Sequence, residues 1–159
     1  SFTASAQSKV GTVNINILVS KLPEIAQVKT GITEYEKTLQ ADLNAKLEAY
    51  KIEVETANKA FAGMQPEAKK KKQEEIFALE NDIQQFRQNA AQLVQLKQDE
   101  LMRPLYKKLG DAINQVAKEQ GYTQVLTSTG NQFVYIDEKF DITKLVMNKL
   151  GVKEPEVKK

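Results

Sequence analysis

The chain contains neither cysteine nor histidine. Without cysteine there are no disulfides, no thiolate metal sites and no thiol nucleophile, although this alone does not identify a redox compartment. Without histidine the commonest general base and the commonest zinc ligand are gone. Triad hydrolases, zinc hydrolases and cysteine proteases are thereby excluded together. Seven glycines and four prolines in 159 residues are too few for a collagen-like or Pro/Gly-rich disordered chain. Long apolar runs are also lacking. Ile17-Leu18-Val19 and Phe133-Val134-Tyr135-Ile136 fall far short of the roughly 20 residues of a membrane span, so a soluble protein is expected. No glycine-rich phosphate loop is present, which argues against nucleotide hydrolysis. Nor does one sign of charge dominate. The 23 basic and 21 acidic side chains leave +2, too little to predict binding to a polyanion.

What remains is a chain of ordinary domain size, 41% apolar and 28% charged. Val13, Ile15 and Ile17 alternate with Asn14 and Asn16, and this period of two predicts a half-buried strand over about 10–18. Ser20 is placed to cap a short helix carrying Leu22, Ile25 and Val28, which Gly31 would end. Thr33 with Glu36 has the form of a capping box and would open a long helix.

From there apolar residues recur at steps of three and four: Tyr35, Leu39, Leu43, Leu47, Tyr50, Val54, Ala57 and Phe61. Gly63-Met64-Gln65-Pro66 interrupts this series, with Gly at a helix stop and Pro at a helix start. A second series follows in Ile76, Leu79, Ile83, Phe86, Ala90 and Leu93. A chain reversing at 64 or 65 sets Val54 against Ile76, Tyr50 against Leu79, Leu47 against Ile83 and Leu43 against Phe86. Two coiled-coil seams thus fall into phase, and an antiparallel helical hairpin over 32–97 is predicted. Helical pattern continues through Leu101, Leu105, Leu109, Ile113 and Val116 to Gly121, with Pro104 expected to kink it or to mark a change of packing partner.

Beyond Gly121 the character changes. Residues 122–127 and 132–136 favour strands, separated by turn chemistry at Ser128-Thr129-Gly130-Asn131. Asp141 can cap a last helix with Ile142, Leu145, Val146 and Leu150, closed by Gly151. The fold class expected is α+β, mostly α: a small β body from 9–31 and 98–151, bearing the hairpin arm. Residues 1–8 and 152–159 are expected to be disordered. Three short strands and a two-helix arm bury little by themselves, so an oligomer sharing its core through Val13, Ile15, Ile17, Val125, Leu126, Phe133 and Tyr135 is expected. Ala4-Ser5-Ala6 before Gln7 has the small-x-small form of a signal-peptidase site, so 1–6 reads either as the leftover end of a signal peptide or as a disordered polar tail.

Charge is segregated along the arm. Residues 56–73 carry Lys59, Lys69, Lys70, Lys71 and Lys72 against Glu67, whereas 31–55 and 74–100 are acidic. Four consecutive lysines repel one another, and the apolar pairing fades beyond Val54 and Ile76. A loose basic tip is expected, with Phe61 and Met64 as adaptable apolar groups beside it. The acidic pairs Asp99-Glu100 and Asp137-Glu138 are the conspicuous catalytic candidates. Adjacent helical residues diverge and the second pair suits a turn, so no catalytic, metal or cofactor site is expected.

The order of these segments resembles the Skp (OmpH) family of periplasmic chaperones. The resemblance rests on Lys9-Val10-Gly11-Thr12-Val13-Asn14, Leu22-Pro23-Glu24, Pro104, Val116-Ala117-Lys118-Glu119-Gln120-Gly121-Tyr122, Val125-Leu126 and Phe140-Asp141-Ile142-Thr143-Lys144-Leu145-Val146, over about 9–151. It implies an ATP-independent holdase of a Gram-negative periplasm. In such a homotrimer, β strands of three chains form a barrel and three arms enclose unfolded outer-membrane proteins. The chain is less basic than the best-known members, and no lipopolysaccharide motif matches; only weak contact with an anionic membrane surface is implied. Two other readings compete, a structural coiled-coil interaction protein and a prefoldin-like holdase with no outer-membrane clients. Nucleic acid is not an expected partner, since no aromatic-basic interleaving accompanies the lysines.

Overall fold

The computed structural model describes residues 7–130 and 133–153. The expected signal-peptide remnant at 1–6, the start of the second strand-like run at Gln132, and the tail from 154 lie outside them. The fold is α+β and mostly α: β1 (Val10–Val13), α1 (Ile15–Lys21), α2 (Ile25–Ala60), a 3-10 turn (Phe61–Gly63), α3 (Pro66–Glu119), β2 (Gln124–Thr127), a second 3-10 turn (Glu138–Phe140) and α4 (Thr143–Lys149). These elements form two compact units, one from the described residues up to Val28 and from Leu101 onward, the other Lys29–Glu100.

The first unit is the body. β1 and β2 pair in parallel, Val10 with Gln124 through Val13 with Thr127, and Thr12 also bridges Asp141. Parallel neighbours require a long connection, here everything from α1 to the end of α3. One core joins Val13, Leu18, Leu109, Ala112, Val116, Ile142, Val146 and Met147. Burying each large aliphatic side chain contributes about 1.5–3 kcal/mol, and Leu18, Leu109, Ile142 and Val146 are buried almost completely. Gly11 is needed for close approach: a Cβ there would lie 2.7 Å from the Tyr122 ring and 3.0 Å from the Phe140 carbonyl oxygen. The Lys9 ammonium closes that contact 4.2 Å from the Tyr122 ring centre and donates to the Gln120 carbonyl at 2.7 Å.

The strand predicted over 10–18 stops at Val13. Asn14 turns the chain by accepting the Ile17 N–H at 3.0 Å, a helix N-cap. Ile15, Leu18, Val19 and Leu22 then recur at helical spacing, and Leu18 and Leu22 are buried while Ile17 is 44% exposed. The alternation of 13, 15 and 17 is therefore accidental. Ser20 caps nothing; its hydroxyl donates to the Ile17 carbonyl inside α1. Gly31 does not end a helix either, and Thr33 opens none. α2 runs through both, with the Thr33 hydroxyl donating back to the Lys29 carbonyl at 3.1 Å. A mid-helix glycine costs only about 1 kcal/mol, which a long packed helix tolerates. Positive φ among the described residues is confined to Gly121, Gly130 and Gly151.

α3 continues through Pro104 and ends as its sequence predicts. Gly121 takes φ 70° while Tyr122 N–H returns to the Ala117 carbonyl at 2.9 Å. The same closure ends α4, where Gly151 has φ 70° and Val152 N–H reaches Met147. The Asp141 carboxylate accepts the Thr143 N–H at 2.8 Å, at the start of α4. The expected second strand at 132–136 is absent over its described part: Phe133–Ile136 is irregular, with Val134 and Tyr135 almost wholly exposed. A strand needs a neighbour for its backbone groups, and nothing among the described residues pairs with this segment.

Candidate functional site

The second unit is a helical hairpin closed by the turn at Phe61–Gly63, with Met64 N–H bonding the Phe61 carbonyl and Pro66 starting α3. Its two helices run antiparallel, as cross-helix contacts between low and high numbers require. Lys46 meets Asp82 at 2.6 Å, the Tyr50 hydroxyl donates to Glu80 at 2.5 Å, and Lys72 reaches Glu53 at 2.5 Å. Leu39, Ala57 and Ile83 are buried. Leu43, Leu47, Tyr50, Val54, Ile76, Leu79 and Phe86 are half-buried.

At the tip, Phe61, Met64 and Lys69 are half-buried, and Lys59, Lys70 and Lys71 are exposed. The four lysines are not equivalent. Lys70 has one distant carboxylate, Glu74 at 4.0 Å on its own helix. Lys72 is held between Glu53 and Glu75, at 2.5 and 2.8 Å. The hydrogen bond to Glu53, followed by that to Glu75, raises the Lys72 pKa well above the usual ammonium range, and Lys72 in turn lowers Glu75. The bond to Glu80 likewise raises the Tyr50 phenol. Ala57, the next seam position after Val54, is completely buried, whereas Phe61 and Met64 beyond it are half-buried.

These cross-helix ties escaped the sequence reading, which aligned only apolar residues across the fold-back. Aligning the flanking charges in the same register would have set Lys46 near Asp82 and Glu53 near Glu75. Also missed were Ile52, Phe77 and Leu96, each more than half exposed on the hairpin. Their signal was an apolar residue off the seam.

In the body, Val13 is buried, and Ile15, Val125 and Phe133 are half-buried. Ile17, Leu126 and Tyr135 are exposed, so three of these residues offer apolar surface rather than filling this chain's core. Among the described residues β2 pairs with β1 alone, leaving its other edge open. An open cleft of about 680 Å³ lies beside Asn14, Ile17, Ser20, Asp141 and Thr143. Four of its polar side chains serve the fold: Asn14 and Asp141 accept backbone N–H groups, the Ser20 hydroxyl donates to a carbonyl, and the Thr143 hydroxyl accepts from Asn14 N–H at 2.9 Å. Ion pairs tie the body's surface. Lys149 meets Glu119 at 2.8 Å and Lys108 meets Glu24, and in both cases the hydrogen bond from lysine lowers the carboxyl below its usual range. No group of three or more acidic side chains suited to a metal ion occurs among the described residues, and no described helix is long and apolar enough to cross a membrane.

Comparison with known proteins agrees with this architecture. No curated protein matches the chain. Among solved structures it is similar to a Caulobacter crescentus CB15 protein described as an outer membrane chaperone (OmpH-like). The TM-score is 0.60 at 19% identity, over 94% of this chain and 88% of that one. The model of the family described as outer membrane protein (OmpH-like) matches residues 9–150. A match over nearly the whole length, from β1 to the end of α4, makes this chain a member of the OmpH-like family.

Proposed function

We propose that the protein is an ATP-independent holdase chaperone that takes up unfolded outer-membrane proteins between helical arms and keeps them from aggregating. The observation that carries this reading is family membership across 9–150, which spans both body and hairpin. It works as a homotrimer in the periplasm of a Gram-negative bacterium. The bodies join through the open edge of β2 and through Ile17, Leu126 and Tyr135, whose exposure is hard to reconcile with a lone chain. Client segments meet exposed cations at the tip and the adaptable side chains of Phe61 and Met64, while the seam from Leu43 to Phe86 holds the arm together. Weak contact with an anionic membrane surface follows from the same cations.

Many weak contacts suit a client with no fixed shape, because no single residue has to fit it. The test is sedimentation of the full chain with an unfolded β-barrel protein diluted from denaturant. Co-sedimentation in a discrete complex is expected. A client that sediments only as aggregate, with the protein unbound, would refute the reading.

A further inference from the structure

Lys72 differs from the other tip lysines in what surrounds it. Its ammonium lies 2.5 Å from a Glu53 oxygen on α2 and 2.8 Å from a Glu75 oxygen on α3. Its side chain is 25% exposed, against 80% for Lys70. Lys71 makes no ion pair among the described residues. On α2 the tie sits at Glu53, four residues before the fully buried Ala57 and more than two helical turns before the Phe61–Gly63 turn.

One cation between two carboxylates is a different device from a surface lysine. Turning Lys72 outward would break two charge-assisted hydrogen bonds and leave Glu53 and Glu75 to repel each other. Lys70 and Lys71 can reach an anion at no such cost. We infer that Lys72 is a positioning residue that clasps α2 to α3 below the turn, and that negatively charged client segments are met by Lys59, Lys70 and Lys71. The clasp stands on geometry alone; the division of labour rests on the holdase reading.

Two measurements on the full chain separate these statements. In amide hydrogen exchange, Lys72→Met should speed exchange over 57–68 by about threefold, an effect scaled to a partly exposed ion pair. The double exchange Glu53→Lys with Lys72→Glu should restore protection, and Lys70→Gln with Lys71→Gln should leave it unchanged. In capture of an acidic unfolded client across a salt series, that lysine pair should flatten the salt dependence by about half, and Lys72→Met should keep the native slope. Unchanged exchange in Lys72→Met would overturn the clasp. Equal loss of salt dependence in Lys72→Met and the Lys70/Lys71 pair would overturn the division of labour. A native chain that captures no client at any salt would sink the holdase reading, while exchange would still judge the clasp.

Discussion

Leu109 is 2% exposed and joins the core that links α3 with β1, α1 and α4. Leu109→Ala should therefore destabilise the protein by about 2–5 kcal/mol, read as a lower urea midpoint at constant slope. At Gly11 a methyl group would collide with the Tyr122 ring and the Phe140 carbonyl, so Gly11→Ala should also destabilise, with a weakened tyrosine fluorescence transition. The ionised residues act in acid. The Glu119 carboxyl, held by Lys149, titrates below its ordinary 4.5 in the folded state. Its contribution is thus complete above pH 4.5 and disappears as pH falls from there through the lowered value. Melting temperature should drop over that window, and Lys149→Met should lessen the drop; an identical acid profile in the variant would remove the pair from the balance. Among individual residues, the stops at Gly121 and Gly151 and the start at Pro66 were legible in the sequence, whereas Gly31 was a false stop and Asn14 a hidden start. Gly121 and Gly151 end helices because only glycine takes φ 70° without strain. Asn14 as a cap was hidden because a short alternation of apolar residues fits strand and helix equally well over three positions.

For whole elements, length decides what can be read. The seams of α2 and α3 repeat over many turns, so one unusual residue cannot disguise them, and the Gly63–Pro66 break marks their reversal. Gly31 and Thr33 misled because their local signals for a helix boundary were outweighed by a continuous apolar stripe on either side. The 132–136 run misled in the opposite sense. Its composition suits a strand, but pairing depends on a neighbour that lies outside any local pattern. The cross-helix ties were legible in principle, since the register that pairs Leu47 with Ile83 also sets Lys46 beside Asp82. α3 offers a direct check on helix continuity. Gly110 lies in mid-helix with open space where a Cβ would stand, so Gly110→Ala should stabilise by about 0.5–1 kcal/mol, measured by thermal melting. A loss of stability would mean that this stretch is not regular helix.

For the molecule as a whole, charge and apolar exposure point in one direction. A basic turn caps an acidic shaft, and among the described residues the body leaves β2's edge and Tyr135 uncovered. Copies joined at their bodies would cover that surface. If the protein is the proposed homotrimer, sedimentation of the protein alone should give three times 17.9 kDa, and Tyr135→Lys should shift the population toward the single chain. The most direct measurement is light scattering as an unfolded outer-membrane β-barrel is diluted from denaturant, without ATP. With the protein present at one trimer per client, scattering should stay near the buffer baseline. A trace that rises as fast and as far as the client alone would contradict the holdase role.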